Sequence, residues 1–514
     1  MIEFSEKDFK QLIQKGITKE KIEHQIKTFM EGIPFVQLEA PAVIKNGIRK
    51  LTPKQEKHFI DVYEASMKGL TIIKFVPASG AASRMFKSLF NFLETFDPGK
   101  QDLQEYLKKS DSKDLTLFFN RLEDFPFYDM LQKRLAVAEG SERPMAYDLV
   151  QELLSEEGLN YGFYPKGLLP FHNYETHVAR PFEEHLLEAA LYASTEGKAY
   201  LHFTISEQHQ TLFDKEWERI KDQITKRTGN QFQVSYSYQK SSTDTLAVTL
   251  ENEPFRTNDG KLLFRPGGHG ALIENLNEQD ADIIFIKNID NTVTADRSKE
   301  VAAYKKMLAG ILLETQKKVF QWIERIEEGQ LNGEELEQMK SFLEKELNVR
   351  FPDRFSGFTL GQQIEILKDK LERPLRVCGM VRNEGEPGGG PFWVKDSNGN
   401  ISLQIVEAAQ VAMDNTLQAG IFKRSTHFNP VDLVCGVRDH KGRKYDLLNY
   451  RDEKQGFITQ KTQEGKALKA LELPGLWNGA MAYWNTIFVE VPSATFNPVK
   501  TVNDLLKPAH QPGT

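Results

Sequence analysis

The chain has 514 residues, a formal net charge of −7, 40% hydrophobic and 27% charged side chains, and two cysteines. That balance is ordinary for a globular protein and leaves no basic stripe of the kind a nucleic-acid surface needs. Cys378 and Cys435 suit neither a disulfide framework nor a zinc-ligand spacing, and fit a reducing cytoplasm. No apolar run approaches the ~20 residues that span a bilayer. The polar start, MIEFSEKDFK, carries no apolar signal region.

This length predicts two or three domains. Residues 1–69 read as a helical N-terminal extension, because DFKQLIQKG, KEKIEHQIKTFMEG and KQEKHFIDVYEASMKG place apolar residues three and four apart. TIIKFVP (71–77) then reads as a buried strand, followed by the small-residue turn ASGAA and a helix. Residues 98–158 read as a helical insertion. AYLHFTIS (199–206), FQVSYSYQ (232–239) and DIIFIKN (282–288) read as further strands. Their alternation with helices predicts an α/β fold with a covered sheet. Residues 298–348 read as a helical hairpin broken at GQLNGEE. The core is therefore bounded at 70–375. From Arg376 the short strands and glycine-rich turns predict a smaller α+β region, 376–514, with a frayed tail.

Four places carry candidate chemistry. In VPASGAASRMFKSL, the residues Ala78, Ser79, Gly80, Ala81 and Ala82 have almost no side-chain bulk, so a ligand can approach the backbone. A following helix N-terminus favours an anion there by roughly 0.3–1 kcal/mol, with Arg84 and Lys87 in reach of phosphate oxygens. The plain alternative is a tight turn with surface cations. In YPKGLLP, Lys166 is held between prolines and can act as a point charge on a phosphate, or is simply a loop lysine.

In RPGGHGALIENL, glycines 267, 268 and 270 let the backbone meet a flat ligand, and His269 can donate to a phosphate; a lone histidine is more often a cap or a core residue. The run IIFIKNIDN ends in Asp290 at a strand's carboxyl end, where open α/β sheets bind ligands. A carboxylate there suits Mg²⁺, or serves an Asx turn. Together these stretches describe a nucleoside triphosphate cradle.

The sequence resembles the UDP-sugar pyrophosphorylase group of nucleotidyltransferases. PASGAASRMFKS is similar to its nucleotide loop, and RPGGHGALIENL with IIFIKNIDN to its Pro-Gly-His-Gly segment and strand end. LQIVEAAQV (403–411) and ATFNPVKTVNDLL (494–506) resemble its sugar-binding and Pro-Val-Lys-Thr segments. The chain also resembles an uncharacterised bacterial family marked by RPGGHGAL. The resemblance implies a Rossmann-like, GT-A-like nucleotidyltransferase fold with a mixed sheet, and a reaction of UTP with a sugar 1-phosphate that uses Mg²⁺ or Mn²⁺ and releases pyrophosphate. It implies that Gly80 and its neighbours cradle the triphosphate, that Gly267 and Gly268 lie along the nucleoside, and that His269 lies near the α-phosphate. It further implies metal binding by Asp290, sugar binding by Glu407 and phosphate contact by Lys500. The loop lysine of the family matches Lys87 or Lys166, with Lys166 preferred. Ala81 and Ala82 depart from the family's usual Gly or Thr.

On this reading Arg84 and Lys166 take the departing pyrophosphate and Lys500 the sugar phosphate. Asn478 and Asn485 are candidates for a second metal-side group. Trp393, in GGGPFWVKDSNG (388–399), is a candidate for stacking on a sugar, against the plainer reading of a hairpin turn. The partners expected are a nucleoside triphosphate and a sugar 1-phosphate, with no nucleic acid and no membrane; oligomeric state is left open. The rivals are a glycosyltransferase of the same general fold and a catalytically silent nucleotide-binding protein.

Overall fold

The structure, a computed structural model, describes residues 4–138, 146–329, 331–385, 388–396, 399–463 and 465–513. It is mixed α/β with a large mixed sheet and many helices. The chain forms two compact units: Met1–Ile73 with Ser237–Ile286 and Tyr304–Pro492, and Lys74–Tyr236 with Lys287–Ala303 and Ser493–Thr514. Each unit is assembled from three separated segments, so neither follows from a cut along the sequence. Among the described residues no helix is long and apolar enough to cross a membrane.

In the first unit, the strands run in the order Val43–Ile44, Gly47–Arg49, Asn485–Glu490, Leu375–Arg382, Asp432–Gly436 and Ile283–Lys287. Leu375–Arg382 is buried along seven of its eight residues. It pairs parallel to one neighbour, with Cys378 opposite Phe488, and antiparallel to the other, with Val377 opposite Val434. Burial on both faces explains why such a strand reads as a continuous apolar run. A separate antiparallel sheet joins Gln37–Pro41, Gly390–Lys395 and Ile401–Val406.

The stretch 1–69, expected as a helical extension, is not helical throughout. Helices Glu6–Lys15, Lys19–Glu31 and Pro53–Ser66 form, the first with a Ser5–Asp8 capping box of about 1 kcal/mol. Between them, however, lie three strands, Gln37–Pro41, Val43–Ile44 and Gly47–Arg49. Pro34 and Pro41 cannot sit inside a helix. Lys45 and Gly47 take φ of 69° and 97°, which turns the chain sharply between the last two strands.

In the second unit, Ile72–Pro77 neighbours Lys198–Thr204, which also pairs with Gln231–Ser237. Within 98–158, helices Leu103–Ser110, Lys113–Asn120, Tyr128–Ala138 and Ala146–Leu154 form, and residues 139–145 lie outside the described ones. An aromatic core containing Phe86, Phe92, Phe118, Phe125 and Phe127 packs these helices together. Each fully buried ring contributes roughly 1.5–3 kcal/mol over exposure. In the first unit, from Tyr304 on, helices Ala295–Glu327 and Gly333–Glu346 flank the expected break, joined by an Arg325–Glu335 ion pair of 2.7 Å; Gln330 lies outside the described residues.

The tail is pinned rather than frayed. His510 is fully buried, and its Nδ1 meets His172 Nε2 at 3.0 Å. His172 Nδ1 in turn lies 2.7 Å from Glu184. One buried polar network therefore holds residues 508–510 in place.

Candidate functional site

In the second unit, the small-residue turn and the strand-end aspartate converge on Lys166. Pro77 ends its strand, and Ala78 N–H donates to Thr204 O at 2.8 Å. Gly80 O accepts from Lys166 N–H at 3.3 Å, and Ala82 N–H donates to Tyr164 O at 3.1 Å. The turn is thus zipped to the segment that carries the lysine. Gly167, next along, has Ile289 side-chain carbons 3.0 and 3.1 Å from where a Cβ would stand. A Cβ there would press on the Ile289 side chain, which would have to give by a few tenths of an ångström. Lys166 Nζ then reaches Asp290 Oδ2 at 2.7 Å, with side chains 15% and 20% exposed. Among the described residues Asp290 Oδ1 carries no hydrogen bond.

The Asp290 backbone is fixed from the other side. Val499 N–H donates to Asp290 O at 3.2 Å, and Asn497 N–H donates to Asn291 Oδ1 at 2.8 Å. The Asn-Pro-Val-Lys segment therefore runs beside the strand end, with Lys500 exposed and its Nζ 5.7 Å from the Phe496 ring. Arg84 is exposed and, among the described residues, makes no ion pair. The α-helix after the turn begins only at Lys87, behind a short 3₁₀ segment at Ala82–Arg84. Ser79, Gly80 and Ala81 are exposed, and a Cβ on Gly80 would meet open space.

Directly behind this strand end lies a buried charge cluster that sequence reading missed. Lys74 and Lys287 both bond Glu188, at 2.9 and 2.7 Å, with every side chain at most 2% exposed. Lys74 also donates to His185 O at 3.0 Å, and His185 Nε2–H donates to Ile289 O at 3.1 Å. Burial alone would raise the Glu188 carboxyl, but the Lys287 and Lys74 ammonium groups hold it well below its usual range. Burial, reinforced by Lys74, pushes His185 down, so its ring is neutral. Two ammonium groups on one carboxylate leave a net positive charge, with Lys287 three residues before Asp290 in the chain. The signal was in the strands: IIKFVP and IIFIK each place a lysine within an apolar run, where a lysine has to find a partner.

In the first unit, His269, Glu407 and Asn478 form a second group. Gly268 takes φ +76°, which carries the chain into the 3₁₀ segment at His269–Ala271. His269 Nδ1 accepts from Leu476 N–H at 3.1 Å, and its ring stacks on Trp477 with centroids 4.4 Å apart. The proton therefore sits on Nε2, 3.8 Å from Glu407 Oε1. Burial lowers the histidine against the opposing pull of Glu407 and Glu472. Asn478 Nδ2 donates to Glu407 Oε1 at 2.8 Å. The fully buried Arg376 donates to Trp477 O at 2.6 Å and to Thr486 Oγ1 at 2.9 Å, which anchors the loop under the histidine.

The glycines of this loop face protein. A Cβ on Gly267 would lie 2.7 Å from Thr243 O, and one on Gly270 would lie 2.2 Å from Pro474 O. Close chain packing, then, accounts for these two. Asn485 lies apart from the group; its Nδ2 donates to Lys370 O at 2.9 Å. Trp393 is 4% exposed, and Arg350 lies over its ring at 3.7 Å. Its hairpin partner strand follows residues 397–398, which lie outside the described ones.

The mixed α/β fold, with its large mixed sheet, has a counterpart among solved structures. It matches the structure of the uridine diphosphate N-acetylglucosamine pyrophosphorylase from Trypanosoma brucei in complex with an inhibitor. That match has a TM-score of 0.50 and 12% identity, and covers 98% of this chain and 79% of that one. A variant of UDP-glucose pyrophosphorylase from Leishmania major in complex with UDP-glucose aligns at a TM-score of 0.43 and 12% identity, over 98% and 79% of the two chains. No curated protein matches the chain. The chain belongs to the family described as a domain of unknown function, DUF4301, which matches residues 5–511.

Proposed function

We propose that the chain is a nucleotidyltransferase that joins a nucleoside triphosphate, UTP foremost, to a sugar 1-phosphate, giving a nucleoside diphosphate sugar and pyrophosphate. The observation that carries this reading is the Lys166–Asp290 pair at a strand's carboxyl end, zipped to a turn of minimal side-chain bulk. The shared fold supports it.

The attacking oxygen of a sugar 1-phosphate is already anionic, so the protein supplies position and charge neutralisation rather than proton transfer. Lys166 offers a cation to the departing phosphates, and Arg84 an exposed guanidinium near the turn. The buried Lys74–Glu188–Lys287 cluster adds a fixed positive field behind the strand end. Exposed Ser79, Gly80 and Ala81 leave backbone open to an approaching phosphate. Lys500 remains the candidate for the sugar phosphate. Taken by itself, the first unit's Glu407 and Asn478 pair offers an acceptor and a donor suited to hydroxyls.

Among the described residues no three His, Cys, Asp or Glu side chains gather as a metal site. Asp290, with Oδ1 open, fits Mg²⁺, which takes one or two carboxylates and completes its shell with water and phosphate oxygens. When bound, Mg²⁺ supplies charge neutralisation to the phosphates. Incubation with UTP, Mg²⁺ and a panel of sugar 1-phosphates should release pyrophosphate and yield a UDP-sugar. Release of a nucleoside diphosphate from a UDP-sugar would point to glycosyl transfer instead, and binding without turnover to a silent receptor.

A further inference from the structure

The first unit holds a cavity of about 570 Å³ that includes none of His269, Glu407 or Asn478 in its lining. The volume lies in the range of small-molecule sites. Its wall comes from Gln37 on one sheet edge, the segment around Arg350, the end of helix Leu360–Leu371, Lys395, Asp396 and Asn400, and residues 482–486.

The charge on this wall is unevenly committed. Its three carboxylates are all engaged locally. Asp369 accepts from Arg373 at 2.6 Å and pairs with Lys370 at 3.3 Å. Asp396 accepts from Asn400 N–H and Nδ2 at 2.8 and 2.9 Å. Asp452 accepts from Lys454 N–H and Gln455 Nε2 at 3.0 and 3.2 Å. Among the described residues, Arg350, Lys395 and Lys454 line the same cavity without an ion pair. Arg350 is held ready, with its guanidinium over Trp393 at 3.7 Å and one nitrogen donating to Asn46 Oδ1 at 3.2 Å. Burial pushes Arg350 below its usual value against the opposing pull of Glu39, and burial with Arg373 pushes Lys370 down against Asp369 and Asp396. A chain of net charge −7 has here gathered five cationic side chains around one hollow.

We propose that this cavity binds a phosphorylated polyol of about monosaccharide size. A phosphate matches the guanidinium fork of Arg350 and the point charges of the two lysines. A bare anion would leave most of the space empty, and the neutral wall of Gln37, Asn348, Ser402 and Thr486 suits hydroxyl groups.

Titration calorimetry on the full chain at low ionic strength tests this with glucose 6-phosphate, whose anomeric oxygen is unphosphorylated, and with neutral glucose. Glucose 6-phosphate is expected to bind, and glucose to bind at least tenfold more weakly. The surface variant Lys395→Glu/Lys454→Glu should lose at least tenfold in affinity, and Arg350→Gln should lose a similar factor. Lys166→Ala should bind as the unaltered chain does, whether or not the nucleotidyltransferase reading holds. Absence of binding, equal binding of glucose, or full affinity in the double variant overturns the proposal. So does loss of binding in Lys166→Ala, which assigns the ligand to the Lys166–Asp290 pair.

Discussion

Lys166 Nζ sits 2.7 Å from Asp290 Oδ2, across 124 residues of sequence. The contact exists because Gly167 lets Ile289 approach, and because Lys166 N–H is tied to Gly80 O. Under the proposed function, this cation and carboxylate would supply charge and position to the phosphates.

Asp290→Asn and Lys166→Ala are each expected to lower pyrophosphate release by about 10²–10³-fold, the usual effect of removing one preorganised charged group. The melting temperature should change little, since both side chains reach solvent. Steady-state rates beside a thermal melt decide it. Near-normal turnover in either variant would remove the pair from the mechanism.

Glu188→Leu should be far more damaging to the fold. It strands two ammonium groups at 0% and 1% exposure, and breaking a buried pair costs about 3–5 kcal/mol. Chemical denaturation should show the loss directly. Because the folded Glu188 carboxyl is held below its unfolded value of about 4.3, its contribution is present above that pH and disappears only as pH falls through the lower folded value. A variant as stable as the parent would show that the cluster does not carry its charges as described.

Acid should weaken the fold well before the carboxylates titrate. Burial, with the neighbouring His172, pushes His510 down to about 3. Unfolded histidine titrates near 6.5, so unfolding takes up a proton across the window between roughly 3 and 6.5, and stability falls as pH drops through it. His185, lowered in the same direction by burial and Lys74, adds to the slope. Urea midpoints compared at about pH 7.5 and about pH 5 should drop, and His510→Asn should flatten the difference. An unchanged slope in that variant would mean that His510 is not titrating.

Two glycines should separate function from packing. Gly270→Ala places a Cβ 2.2 Å from Pro474 O, a backbone clash that should cost roughly 1–3 kcal/mol. Gly80→Ala meets open space and should leave the melt intact. If triphosphate oxygens approach that turn, the same methyl should raise KM for the nucleotide by about tenfold, or ~1.4 kcal/mol. An unaltered KM would take the turn out of the nucleotide site.

Much of the fold was legible because periodicity survives burial. IIKFVP, KAYLHFT and IIFIK became strands, and the charged stretch before 348 became two helices. The 37–49 strands were masked by strong helical patterns on either side, and the alternation of Val36 and Leu38 was too short to stand out. Lys166 and Asp290 were each readable as local candidates, from flanking prolines and from a strand end. Glu188 was not, because it sits in a helix whose glutamates look like an ordinary solvated face until burial is known.

The sequence by itself determined the strand-and-helix alternation, the small-residue turn, the glycine–histidine loop and the strand-end aspartate, since each depends on neighbours a few residues away. Tertiary structure alone decided which distant charges meet. Lys166 found Asp290, two strand lysines found one glutamate, and, among the described residues, Arg350, Lys395 and Lys454 came to line one hollow without an ion pair. Charge pairing acts over ångströms in space, and distances along the chain carry no record of it.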